Sequence, residues 1–185
     1  MNTPDTNYLR LFPLGGVVLF PGMELPLHIF EERYQLLTKE CLDENAPFGV
    51  LLLQSGREVN DMQARPFDVG TTAHIKRSEP LGGGRVSLLA VGGKRFRVHA
   101  FSYDQPYLTG EVMYFEDEQE EQVPSKLTKD LQTSIINYLY ATAQLSGNQH
   151  EELLMPDDPV ELSYFVAQAF QGNQKVQQLL LEAPT

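Results

Sequence analysis

The chain has 185 residues, with 14 Lys and Arg residues against 25 Asp and Glu residues and a formal net charge of -11. Hydrophobic residues make up 42% and charged residues 21%, a globular balance that excludes a wholly disordered chain. The acidic excess argues against binding nucleic acid by broad phosphate neutralisation. No apolar run approaches the ~20 residues that cross a bilayer, so no membrane partner is expected. The single cysteine, Cys41, fits a reducing compartment, and we expect a cytoplasmic protein.

Charge and composition divide the chain into parts. Residues 57–97 carry 8 basic and 4 acidic residues, whereas residues 98–185 carry 3 basic and 14 acidic ones. Gly, Pro and β-branched residues separate short apolar runs up to about Phe115, and helical spacing begins after Pro124. We therefore predict a β-rich subdomain over residues 1–116, an acidic connector over 117–123 and an α-helical subdomain over 124–185.

The first part predicts roughly six short strands with tight turns. Pro21-Gly22 and Gly92-Gly93 are turn signals, and Gly82-Gly83-Gly84 predicts a hairpin connection. Closure of the sheet would remove exposed edges, so a closed or nearly closed antiparallel sheet is expected. After the first apolar segment, the clearest predicted strands cover residues 48–53, 69–77, 85–91, 94–101 and 107–115.

Helical spacing predicts one helix within the β-rich part and several after it. Phe30, Tyr34, Leu37 and Cys41 form one apolar stripe, with acidic residues near its start. Asp158-Pro159-Val160-Glu161 has an acidic N-cap, proline at the first position and an acid three residues on, which predicts a helix start.

No catalytic or metal-binding constellation is recognisable in the sequence. The four histidines are dispersed, and no Cys/His pair has zinc-finger spacing. Cys41 lies on the apolar stripe, where a thiol is expected to serve packing rather than chemistry. We therefore predict no catalytic residue, no metal and no cofactor.

The basic residues of the middle part allow two interpretations. Lys76, Arg77, Arg95 and Arg97 could line one face of the sheet and bind an anionic ligand or an acidic peptide. Alternatively, they form the polar outer face of a barrel whose charge the acidic helices neutralise.

Two segments carry a resemblance to a known family. The run from Leu25 to Tyr34, Leu-Pro-Leu-His-Ile-Phe-Glu-Glu-Arg-Tyr, resembles the opening of the Lon N-terminal (substrate-binding) domain family. The run from Gly92 to Val98 resembles its G-x-x-R-F-R-[IV] strand. The resemblance covers about Leu9 to Glu182. It implies an α+β fold in which a β-rich pseudo-barrel with an embedded helix precedes an α-helical bundle.

The resemblance also implies a function. In full-length Lon proteases this domain precedes an AAA+ ATPase and a protease with a Ser-Lys dyad, and we expect a stand-alone domain that lacks both. What carries over is recognition of polypeptide, not catalysis. Family contacts are attributed to the start of the embedded helix and to nearby apolar patches. The matching candidates are Met23, Leu25, Glu31, Glu32 and Arg33.

Structural roles for the same residues remain open. Glu31 and Arg33 could form a local ion pair, worth at most about 1 kcal/mol if exposed. Leu25 and Phe20 could belong to the core of the barrel rather than to a peptide groove.

The favoured function is a non-catalytic polypeptide-binding or adaptor module in protein quality control. Its partners would be unfolded or tagged polypeptide, or a protease or chaperone, with weak self-association. One alternative is an interaction scaffold that uses its acidic helices. Another is a small-molecule sensor with a pocket between the subdomains, lined by His28, Tyr34 and Arg97.

Overall fold

The architecture comes from a computed structural model, which describes residues 7–55, 65–115, 123–146, 155–170 and 172–183. The predicted acidic connector therefore lies, apart from Val123, outside the described residues. The strands are β1 (Asn7–Leu14), β2 (Glu24–Ile29), β3 (Phe48–Ser55), β4 (Arg65–Gly82), β5 (Arg85–Ser102) and β6 (Leu108–Tyr114). The helices are α1 (Glu32–Glu44), α2 (Ser125–Ser146), α3 (Pro159–Gln168) and α4 (Gln174–Glu182).

The six strands form a mixed sheet that closes into a ring. β4 pairs along one edge of β5. Along the other edge of β5, β2 pairs with residues 86–91 and β6 pairs with residues 96–102. β1 and β6 complete the ring. The predicted pseudo-barrel is confirmed, but a wholly antiparallel sheet is wrong, because β1 and β3 run parallel. In the sequence between β1 and β3, β2 and α1 return the chain to the end of the sheet at which β1 began, as a parallel crossover requires.

β5 continues without a break through Gly92 and Gly93, where the sequence predicted a turn. A Cβ atom on Gly92 would lie 2.1 Å from the Phe20 carbonyl oxygen. The Gly22 amide donates to the Gly92 carbonyl oxygen at 2.9 Å. Glycine is needed here for the close approach of another backbone segment rather than for a change of direction.

The interior of the ring is filled around Phe96. The aromatic side chain of Phe96 is buried together with alternate residues of the neighbouring strands. Cβ atoms built on Gly49 and Gly70 would lie 2.6 Å and 3.1 Å from the Phe96 Cζ atom, so the two glycines leave room for the aromatic ring. The other buried members of this core are Leu9, Leu11, Leu51, Val98 and Val112.

α1 is embedded against the outside of the sheet. Tyr34, Leu37 and Cys41 point from one face of the helix into a core that includes Phe48 and Val50 of β3. Burial raises the pKa of the Cys41 thiol to about 11, so the thiol stays protonated at neutral pH and serves packing, as expected.

The C-terminal helices cover the opposite end of the outer face. The Asp158 side chain accepts from the Val160 and Glu161 amides at 3.0 Å, and Pro159 opens α3, as the sequence predicted. Within the described ranges, no helix is both long and apolar enough to span a membrane. The buried residues that join α3 and α4 to the sheet are Val18, Phe20, Leu52, Val69, Tyr164, Ala167 and Leu181.

Candidate functional site

Three strands meet at an exposed end of the sheet. Ile29 of β2 lies opposite Val86 of β5, so the next residue, Phe30, lies beside Arg85. Arg85 in turn pairs with Gly82 of β4. The turn between β4 and β5 consists of three glycines with φ angles of 82°, 61° and 76°, which only glycine adopts readily. We call the exposed side chains at this end, Phe30, Leu81 and Arg85, the tip surface.

The tip surface contains two large apolar side chains in contact with solvent. Phe30 is 58% exposed and Leu81 is 50% exposed. The prediction that Phe30 belongs to the apolar stripe of α1 is wrong, because the helix begins at Glu32 and Phe30 lies in the connection after β2. Leu81 was not predicted as a site residue, although a large apolar residue directly before three glycines is a sequence signal for an exposed hairpin end.

Charged residues at the start of α1 border the tip surface. Arg33 forms an ion pair with Glu31 at 3.0 Å, and its guanidinium lies over the Tyr34 ring at 4.5 Å. The local ion pair considered from the sequence is therefore present. Glu32 and Leu36 are exposed, and their spacing of four residues places them on one face of the helix.

The structure does not bring Met23 and Leu25 to the tip surface. Leu25 is only 4% exposed and belongs to the core under β2, as does Ile29, which is the alternative to a groove role that the sequence left open. Phe20 is fully buried as well. Met23 is half-buried and precedes β2 by one residue, which places it about 23 Å from Phe30 along the strand.

The predicted anionic-ligand face is not a single surface. Arg95 is 2% exposed because the C-terminal helices cover it. Its Nη1 donates to the Leu181 and Ala183 carbonyl oxygens at 2.8 Å and 2.6 Å, and its guanidinium lies over the Phe115 ring. Arg95 therefore holds the end of α4 on the sheet.

The other predicted basic residues are dispersed. Arg97 is exposed and pairs with Asp68 at 3.1 Å. Arg77 pairs with Glu79 at 3.5 Å, next to the exposed Lys76 on β4, far along the sheet from Arg97.

The pocket considered for a small-molecule sensor is not formed by the predicted residues. Tyr34 is buried in the core under α1. His28 lies opposite Ser87 of β5, ten residues from Arg97, or about 30 Å along the strand.

A charged cluster that the sequence did not reveal joins α1 to the ring. Arg10 of β1 donates to Glu40 at 3.1 Å and to Glu44 at 2.7 Å. The Tyr107 hydroxyl also donates to Glu40. These two hydrogen bonds to Glu40, led by that of Tyr107, hold the pKa of its carboxyl below its ordinary value. Among the described residues, no group of three or more His, Cys, Asp and Glu side chains could hold a metal ion.

The ring, the embedded helix and the C-terminal helices define a pseudo-barrel domain with an exposed apolar tip. Comparison with known proteins identifies the family. The sequence model of the ATP-dependent protease La (LON) substrate-binding domain matches residues 8–185. The chain therefore belongs to the LON substrate-binding domain family.

Two relatives and one solved structure show how far the likeness extends. The Lon protease of Parabacteroides distasonis is 26% identical over 139 residues, which are 75% of this chain and 16% of that protein. The Lon protease of Desulfosudis oleivorans is 27% identical over 184 residues, 97% of this chain and 22% of that protein. The chain thus spans less than a quarter of the length of either relative. The crystal structure of a Lon N-terminal domain protein from Xanthomonas campestris shares the fold, with a TM-score of 0.73, 24% identity and coverage of 96% of this chain and 91% of that one.

Proposed function

We propose that this chain is a non-catalytic module that binds unfolded or tagged polypeptide. It would serve protein quality control in the cytoplasm, as a recognition unit or as an adaptor to a protease or chaperone. The observation that carries the proposal is the tip surface, where Phe30 and Leu81 are each at least half exposed at one end of the sheet.

Physical chemistry supports a binding role for this surface. The two residues lie on either side of β5, two strand spacings or about 10 Å apart at the backbone, so one extended segment of client could contact both. Grouped apolar side chains on a protein surface mark interaction sites, and aromatic residues carry much of the binding energy at such sites. Arg85 lies between the two apolar residues in the strand order, and the exposed Glu32 follows Phe30 by two residues, so polar groups accompany the apolar ones. Membership of a family described as a substrate-binding domain supports the same role.

The test compares an unfolded protein with its native form. Reduced and carboxymethylated lactalbumin is titrated into the chain, with native lactalbumin in a parallel titration. We expect the parent to prefer the unfolded form, and Phe30→Ser to weaken that binding about tenfold or more, as truncation of an aromatic hot spot does.

Tyr103→Ser is the matched control. Tyr103 is 51% exposed and follows the opposite end of β5, so its loss removes a similar apolar area far from the tip surface. It should leave binding unchanged. Equal and negligible binding of both lactalbumin forms by the parent, or parental affinity in Phe30→Ser, would overturn the proposal.

A further inference from the structure

Gln35 connects the two apolar parts of the tip surface. Its Nε2 atom donates to the Phe30 carbonyl oxygen at 3.0 Å. Its Oε1 atom lies 2.6 Å from the position that a Cβ atom on Gly84 would occupy. The Gln35 side chain thus touches both the Phe30 backbone and the glycine turn that follows Leu81.

The backbone of Phe30 depends on such a contact because it lies outside both neighbouring elements. β2 ends at Ile29 and α1 begins at Glu32. Within the described part of the chain, the N-cap residue Glu31 makes no side-chain capping hydrogen bond. The Phe30 side chain is more than half exposed, and its carbonyl oxygen accepts the hydrogen bond from Gln35.

We infer that Gln35 is a positioning residue for polypeptide binding, which holds Phe30 and the β4–β5 turn in one fixed arrangement. A surface arranged before binding loses less conformational entropy when a client docks, and therefore binds more tightly. This inference rests on the proposed function and deepens it. It predicts that Gln35 contributes to client affinity without contacting the client through its own side chain.

Two substitutions separate the hydrogen bond from the bulk of the side chain. Gln35→Glu keeps the shape but removes the N–H donor at neutral pH. A carboxylate in the first turns of a helix is favourable, so α1 should remain stable in this variant. Gln35→Lys restores a donor, on a flexible side chain that is one bond longer, and serves as the rescue variant.

The absence of tryptophan from the sequence provides a local reporter. Phe30→Trp places a single fluorophore on the tip surface and keeps an aromatic ring there. The probe is a short synthetic peptide of glycine and serine with isolated leucine and phenylalanine residues, which adds no tryptophan signal. Binding to the parent and to the Gln35 variants, which all keep Phe30, is measured by the anisotropy of a fluorescein group on the peptide. The Phe30→Trp reporter is used without peptide, where tryptophan anisotropy measures the local mobility of the side chain.

Gln35→Glu should weaken peptide binding about three- to tenfold, the effect of one hydrogen bond, and in the Phe30→Trp background it should lower the tryptophan anisotropy of the free protein. Gln35→Lys should restore both values, while Tm stays nearly constant across the set. Unchanged affinity in Gln35→Glu, or a loss of affinity that parallels a loss of Tm, would overturn the inference and leave the proposed function intact. No peptide binding by the parent would overturn both.

Discussion

At the scale of single residues, Arg95 and Arg97 show how one sequence pattern leads to two environments. Both side chains leave β5 on the same face, two residues apart. Arg95 meets the end of α4 and is buried, whereas Arg97 remains exposed beside Asp68. The difference arises from a helix 86 residues further along the chain, which no local pattern reveals.

Arg95→Ala should destabilise the protein strongly. It removes two hydrogen bonds to carbonyl oxygens at the end of α4 and leaves a buried cavity, so we expect a loss of about 3 kcal/mol in the free energy of unfolding. Arg97→Ala is the matched control and should change it by about 0.5 kcal/mol or less, because its ion pair is exposed. Urea unfolding of the two variants measures the difference, and similar midpoints would contradict the assigned role of Arg95.

Glu40 makes part of the stability dependent on pH. Its pKa in the folded protein is lowered, chiefly by the Tyr107 hydroxyl and also by Arg10. A carboxyl with a lowered folded pKa stabilises the fold above its unfolded pKa of about 4.3, and this contribution is lost as pH falls through the folded value. Tyr107→Phe should therefore cost stability at neutral pH and less in acid.

Tyr103→Phe, at an exposed position, is the control for this comparison. Urea unfolding of the parent, Tyr107→Phe and Tyr103→Phe at neutral pH and near pH 4 gives the six free energies of unfolding needed. A stability difference between parent and Tyr107→Phe that does not shrink in acid would show that Glu40 is not the group responsible.

At the scale of elements, glycines decide how closely the strands of the ring approach their neighbours. Gly49 and Gly70 face Phe96, and the lack of a side chain at Gly92 leaves room for the Phe20 backbone. None of these three positions has a positive φ, so it is space and not backbone conformation that requires glycine. Glycines were interpreted from the sequence as turn signals, and that prediction is confirmed at Pro21-Gly22 and at Gly82, Gly83 and Gly84 but is wrong for Gly92-Gly93.

Gly70→Ala tests the packing of the ring. Its Cβ atom would lie 2.2 Å from the Val50 carbonyl oxygen, so the two strands must separate, at a cost of about 3 kcal/mol or more in the free energy of unfolding. Gly16→Ala is the control, because nothing lies within 4 Å of its added atom and its φ is not positive; it should be neutral or slightly stabilising. Thermal unfolding distinguishes the two, and equal Tm values would refute the steric argument.

At the scale of the whole molecule, the sequence predicted the family and the architecture better than the site. The segment from Leu25 to Tyr34 and the strand from Gly92 to Val98 indicated a pseudo-barrel with an embedded helix, and the fold agrees. The motif located the start of α1 but could not show that Phe30 and Leu81 converge, because their proximity depends on the register of three strands. Strand register is set by tertiary packing rather than by local composition.

The placement of β5 has a consequence for how the domain opens. Because β4 pairs along one edge of β5 while β2 and β6 pair with different parts of the other edge, β5 as a whole cannot leave the sheet without detaching three neighbours. Hydrogen exchange at residues 86–91 of β5, which have β2 on one side and β4 on the other, should therefore proceed only through global unfolding, and at a rate set by total stability. The edge of β2 that faces away from β5 should exchange faster, through local opening, so deuterium uptake would rank the strands by the number of partners each must lose.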